Sequence, residues 1–175
     1  MTRKLSPGLV ALVLALTGCT APVSPNPSPT GQETLVIMAD YVIPADGHGL
    51  AALSSLVVMG VFEELIGQRP GNAVGMGVDA PVDVWQVRVT TTYMGDAGAV
   101  VHVMRWSDTV NAGQYHVTPG TKAVLFLSGL PSSGLYTTVS GDVGLLLLDR
   151  DGRHLTSPGA TVPGLETVDD VAALF

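Results

Sequence analysis

Val82-Asp83-Val84-Trp85-Gln86-Val87-Arg88-Val89-Thr90-Thr91-Thr92-Tyr93 is the stretch whose reading decides the fold. Trp85, Val87, Val89, Thr91 and Tyr93 fall on one face, and Gln86, Arg88, Thr90 and Thr92 on the other. Successive side chains of a strand point to opposite sides, so this alternation describes a strand with one face in a core and one toward water. Met94-Gly95-Asp96-Ala97-Gly98 supplies turn residues, and residues 99–106 form a second strand that folds back as a hairpin.

Working outward toward the C-terminus, Pro119-Gly120 is a strong turn pair. Ala123-Val124-Leu125-Phe126-Leu127 is apolar on both faces and reads as a central strand. Residues 136–140 and 144–149 read as a hairpin about Gly141-Asp142, and Asp151-Gly152 turns the chain toward residues 153–156. Leu165, Val168, Val171, Ala172 and Phe175 recur at three- and four-residue intervals, which predicts an amphipathic helix over residues 164–175. Thr167, with Asp170 three residues on, can cap its start.

Toward the N-terminus, residues 56–65 read as a strand, with Gly60 marking a bend or bulge. A helix over residues 61–66 competes, since short apolar runs are ambiguous. Residues 67–81, with four glycines and two prolines, read as loop. Residues 50–54 suit one helical turn, and Asp46-Gly47-His48-Gly49 is turn chemistry. Residues 34–43 are β-branched and apolar until Pro44 stops them, which predicts a further strand. Short strands at close intervals with turns between them predict a mostly β fold: an antiparallel OB-like barrel or sandwich with a short C-terminal helix.

Composition narrows the function classes. Hydrophobic residues reach 46% and charged residues only 13%, so residues 33–175 have enough apolar surface to fold as one domain. Aromatic residues are 5%, leaving few of the flat platforms that single-stranded nucleic acid needs. The net charge of −7 carries no Lys/Arg cluster for displacing counterions, so no nucleic acid is expected as partner.

Residues 1–18 have the parts of an export signal. Arg3 and Lys4 begin it, Leu9 to Leu16 is an unbroken apolar run, and small residues approach Cys19. The run is far shorter than the roughly 20 residues of a membrane span. Leu16-Thr17-Gly18-Cys19 resembles the lipobox of bacterial lipoproteins. That resemblance implies cleavage between Gly18 and Cys19 and a diacylglyceryl group on the Cys19 thiol. Cleavage would remove Arg3 and Lys4, leaving six basic residues against fifteen acidic ones, a net charge of −9. Anionic lipid heads would repel such a chain, so attachment would rest on the acyl chains and place it at the cell membrane on the extracytoplasmic side. Residues 19–32 hold Pro22, Pro25, Pro27 and Pro29 and form a tether of about 40 Å if extended. Cys19 is the chain's one cysteine, so no internal disulfide is available.

The segments Ser54-Ser55-Leu56-Val57-Val58-Met59-Gly60-Val61, Val84-Trp85-Gln86-Val87-Arg88-Val89 with Tyr93-Met94-Gly95-Asp96, and Thr118-Pro119-Gly120-Thr121-Lys122-Ala123-Val124-Leu125-Phe126-Leu127 together resemble a group of bacterial secreted proteins. Those proteins carry an OB-like, netrin-module-like barrel, and the likeness spans roughly residues 50–150. Met94 stands where that group has lysine, and the barrel cysteines are missing. The linker and the alanine, glycine and valine usage look actinobacterial, chromosomal or prophage-borne.

Each candidate catalytic group in the sequence has a plainer reading. Asp149-Arg150-Asp151-Gly152 begins like a calcium loop, but no bidentate Glu follows at the needed spacing, and a hairpin turn is the better reading. His48, His102, His116 and His154 lack metal-ligand spacing. His102 shares a strand face with Val100 and Met104, and His116 and His154 read as exposed. Glu63 and Glu64 are strand neighbours that point apart, Ser132-Ser133-Gly134 is no nucleophile elbow, and residues 71–77 lack the Gly-Lys-Ser/Thr ending of a phosphate loop. No catalytic residue, metal or cofactor is assigned. The expectation is an envelope lipoprotein, not an enzyme, whose β domain binds an extracytoplasmic protein, peptide or glycan through loops 67–81, 107–118 and 128–135. A prophage-encoded superinfection-exclusion lipoprotein and a secreted hydrolase or metal enzyme with a dispersed site are the competing readings.

Overall fold

A computed structural model describes residues 43–74, 80–107, 115–130 and 133–175. Residues 1–18, Cys19, the proline-rich tether and, apart from Ile43, the strand expected over 34–43 lie outside the described residues. Among the described residues the fold is mostly β, with strands β1 (Leu56–Pro70), β2 (Pro81–Met94), β3 (Val100–Trp106), β4 (Lys122–Leu130), β5 (Leu135–Thr138), β6 (Leu145–Leu148) and β7 (Leu155–Thr156). Two short helices accompany them, α1 (Gly47–Ala52) and α2 (Val168–Ala172). No described helix is long and apolar enough to cross a membrane.

The expected β2–β3 hairpin forms, with Trp85 opposite Val103 and Val87 opposite Val101. Trp85 and Val87 are buried while Arg88, Thr90 and Thr92 are exposed, as alternation demands. The Trp85 ring meets Phe62 edge-on, with centroids 5.9 Å apart and planes at 82°, the arrangement favoured by the two ring quadrupoles. β1 pairs with β2 on one side and with β4 on the other, so the pairings run β1–β2–β3–β5–β4 and return to β1 in a partial ring.

The double-sided apolar reading of residues 123–127 has its cause in two cores. Ala123, Leu125 and Leu127 join Val58, Phe62, Trp85 and Val103 in one cluster. Val124 and Phe126 point the other way, into a cluster with Leu50, Leu146, Leu165 and Val171. α1 and α2 cap that second cluster. Asp46 accepts the Gly49 N–H at 2.8 Å and starts α1, so Asp46-Gly47-His48-Gly49 is the entry to a helix rather than a turn. At α2, Thr167 accepts the Asp170 N–H at 3.2 Å and Asp170 accepts the Thr167 N–H at 2.7 Å, the capping box anticipated from sequence. The helix covers only Val168–Ala172; Leu165 and Val171 are buried, whereas Ala172 and Phe175 remain exposed.

Three further expectations, all about the sheet, differ from the structure. The sheet is mixed rather than antiparallel, because β5 runs parallel to β3. β5 and β6 do not form a hairpin with each other. Both lie along the same side of β4, β5 against Leu127–Leu130 and β6 against Ala123–Leu125. A 3-10 turn at Gly141–Gly144 bulges out between them, entered by Ser140 (φ 52°) and Gly141 (φ 63°). The Val139 N–H still donates to the Phe126 carbonyl at 2.8 Å, so β4 keeps its ladder through the bulge. Residues 67–81 are not wholly loop, because β1 continues to Pro70 and β2 begins at Pro81. Paired partners hold Gly67 and Pro70 in strand here, overriding their local preference.

Gly60 is a bulge, as its place in an apolar run suggested, with a register shift between Met59 and Gly60. A Cβ there would stand 2.7 Å from Val87 Cγ1 and 2.8 Å from the Arg88 carbonyl oxygen, so only glycine lets β2 approach this closely.

Candidate functional site

β3 presents Val101, Val103 and Arg105 on one face, so a guanidinium stands where alternation otherwise places valine. Arg105 is buried and pairs with Asp142, Nη2 to Oδ1 at 2.7 Å, with side chains only 3% and 13% exposed. The same nitrogen donates to the Tyr115 carbonyl at 2.8 Å, and the Tyr115 N–H donates to Asp142 Oδ2 at 2.7 Å. The backbone of Tyr115 is thus held from both sides by one ion pair. Arg105 Nη1 is buried without a hydrogen-bond partner. The bulge between β5 and β6 has a purpose in this light, since it carries Asp142 to the guanidinium.

Tyr115 borders a recess of about 400 Å³, and two other parts of the chain complete it. Thr121 and Lys122 enter from the start of β4, and Leu148, Asp149 and Arg150 from the end of β6 and its turn. The turn is rigid. Asp149 Oδ1 accepts from the Arg153 N–H at 3.0 Å and the His154 N–H at 3.3 Å. Those bonds, the Arg153 amide foremost, hold the Asp149 carboxyl below its ordinary pKa. The Asp149–Gly152 segment is therefore the hairpin turn expected between β6 and β7, its carboxylate engaged by its own backbone.

Two ion pairs form among the described residues, Arg105–Asp142 and Arg88–Glu63, and neither uses Lys122 or Arg150. The recess therefore holds, beside the Asp149 carboxylate, two cations that enter no ion pair among the described residues, in a chain of net charge −7. With an exposed phenol ring and Leu148 beside them, the groups suit a ligand that carries a negative charge and an apolar face. The volume lies within the usual range for small-molecule sites, about 300–1,000 Å³. A second, smaller recess of about 310 Å³ lies between Gln68-Arg69-Pro70 and Ala80-Pro81.

The residues weighed from sequence fall as follows. His48, His116 and His154 are exposed and His102 is half-buried opposite Gln86. Among the described residues no three His, Cys, Asp or Glu side chains gather closely enough to hold a metal ion. Glu63 and Glu64 do not act together. Glu63 accepts from Gln86 Nε2 at 3.1 Å and Arg88 Nε at 2.6 Å, which lowers its pKa, while Glu64 is exposed. Ser133 Oγ donates to the Leu130 carbonyl at 3.2 Å in a local turn. Cys19, and the part of the glycine-rich stretch from Gly75 to Gly77, lie outside the described residues. The Arg105–Asp142 pair was not anticipated, although a lone arginine on an apolar strand face was the available signal.

No protein-family model matches the chain, and no curated protein matches it.

Proposed function

We propose that the protein is an envelope lipoprotein, tethered through lipid on Cys19 at the extracytoplasmic face of the cell membrane. Its domain binds an extracytoplasmic protein, peptide or glycan and is not an enzyme. The single observation that carries the binding role is the recess between Tyr115, Lys122 and Arg150, two cations in no ion pair among the described residues beside a backbone-pinned aromatic residue. We read the domain as an OB-like barrel. The return of the pairing order to β1 and the parallel β3–β5 contact support that reading. Such barrels bind ligands on a sheet face or between loops.

Two measurements test the two halves. Cys19→Ala should leave the chain unlipidated, moving it from the detergent phase to the aqueous phase and changing its gel mobility. Unchanged partitioning refutes the tether. The mature chain carrying Cys19→Ala, used as bait in envelope extract, should retain a ligand that the added changes Lys122→Glu and Arg150→Glu release. Equal capture with and without the charge reversals refutes the recess as the binding site.

A further inference from the structure

β1 is longer than the strand that covers its outer side. β4 pairs with it only as far as Val61 opposite Lys122, and Phe62 adds backbone bonds to Thr121 and Gly120. From Glu63 to Pro70, β1 pairs among the described residues with β2 alone. Among the described residues nothing pairs with the other side, toward which alternate residues of this stretch of about 23 Å, at about 3.3 Å per residue, turn their backbone groups. Leu65 and Ile66, 46% and 44% exposed, sit in the middle of it. An exposed edge of this kind is a template for a further strand.

We propose that this edge pairs antiparallel with the same edge of a second copy of the chain, about a two-fold axis between Ile66 and Gly67. Charge and shape argue for that occupant. In this register Glu64 of each copy stands opposite Arg69 of the other; the bulge between Leu65 and Gly67 brings the two onto one face of β1, and among the described residues neither belongs to an ion pair in its own chain. Ile66 stands opposite Gly67, where a Cβ would meet nothing within 4 Å, so the larger side chain has space. A slip by one residue would set Glu63 against Arg69 instead, but Glu63 already binds Arg88 and Gln86. Two copies of an acidic chain repel one another, and two Glu–Arg pairs across the axis offset that repulsion locally. Pro70 stops the ladder at one end and β4 occupies β1 at the other. The contact is therefore isologous and closes as a dimer rather than growing into a filament.

The test uses the mature chain carrying Cys19→Ala, so that lipid plays no part, and it is independent of the recess. Sedimentation velocity over a range of concentrations at low salt should show a monomer–dimer equilibrium. Glu64→Arg and Arg69→Glu should each weaken it about tenfold, because each sets two like-charge pairs across the axis. The double variant Glu64→Arg/Arg69→Glu should restore the dimer to within about threefold of the starting affinity. Both positions are exposed, and unchanged thermal melts confirm that the variants fold. A monomer at every concentration, a dimer indifferent to all three variants, or a double variant as weak as the singles each overturns the proposal.

Discussion

Replacing Asp142 with alanine should be among the most damaging single changes on the polar side of this fold. The Arg105 side chain is 3% exposed and Asp142 accepts from its Nη2 at 2.7 Å, so the substitution leaves a guanidinium buried without its counter-charge. Removing one partner of a buried pair costs about 3–5 kcal/mol, because the remaining charge keeps its desolvation penalty and loses the attraction that offset it. The Tyr115 N–H loses its acceptor at the same time. Set against a total stability of about 5–15 kcal/mol, the loss is about a fifth or more. With a urea slope of about 2 kcal/mol/M the midpoint should fall by about 2 M. The double variant Arg105→Met/Asp142→Leu provides the internal control. Arg105 Nη1 is already buried without a partner, so the native pair does not recover its full desolvation cost. Removing both charges should therefore cost clearly less than Asp142→Ala alone. A fall of less than about 1 kcal/mol for Asp142→Ala, or a double variant worse than the single, would refute the argument.

Two further changes test the core and the C-terminal cap. Trp85→Ala removes a ring that is 8% exposed and edge-on to Phe62, and should cost about 3–5 kcal/mol in equilibrium denaturation; a negligible shift would mean that this face of β2 is not core. Thr167→Ala removes the capping-box acceptor of α2 and should cost about 1 kcal/mol, read as faster amide exchange at Asp170 and Val171. The same cap confers acid sensitivity. Bonds from the Thr167 hydroxyl and amide hold the Asp170 carboxyl below its ordinary pKa, so its contribution is present above the unfolded-state pKa. That contribution disappears as pH falls through the lower folded-state value. Asp149 and Glu63 are shifted in the same direction, so their contributions too are lost as pH falls, and Asp170→Asn, Asp149→Asn and Glu63→Gln should each flatten the acid limb of stability against pH; a limb unchanged by all three would contradict the assignments.

Alternation alone determined β2, its buried face and its hairpin with β3, because the period of two is written into residues 82–93 and needs no partner to be read. The capping box at Thr167 and Asp170 was equally legible, since caps act within four residues. Local chemistry misled at Asp46-Gly47-His48-Gly49, where a turn and a capped helix start look alike until Leu50 and Ala51 find a core. It misled again at Ser140-Gly141-Asp142. Those residues resemble a hairpin turn, yet the long β4 ladder takes both flanking segments along one side and leaves the turn as a bulge. Only the tertiary structure decided that β3 and β5 run parallel, that Asp142 meets Arg105, and that Tyr115, Lys122 and Arg150 border one recess. Those contacts join residues from separate elements, as far apart as Arg105 and Asp142, and no periodicity in a single chain encodes which distant edges and charges will meet. The side of β1 left unpaired among the described residues is of the same kind, because its extent depends on where β4 ends rather than on any residue in β1 itself. Cys19, by contrast, rests on its lipobox neighbours alone, a reading made within four residues.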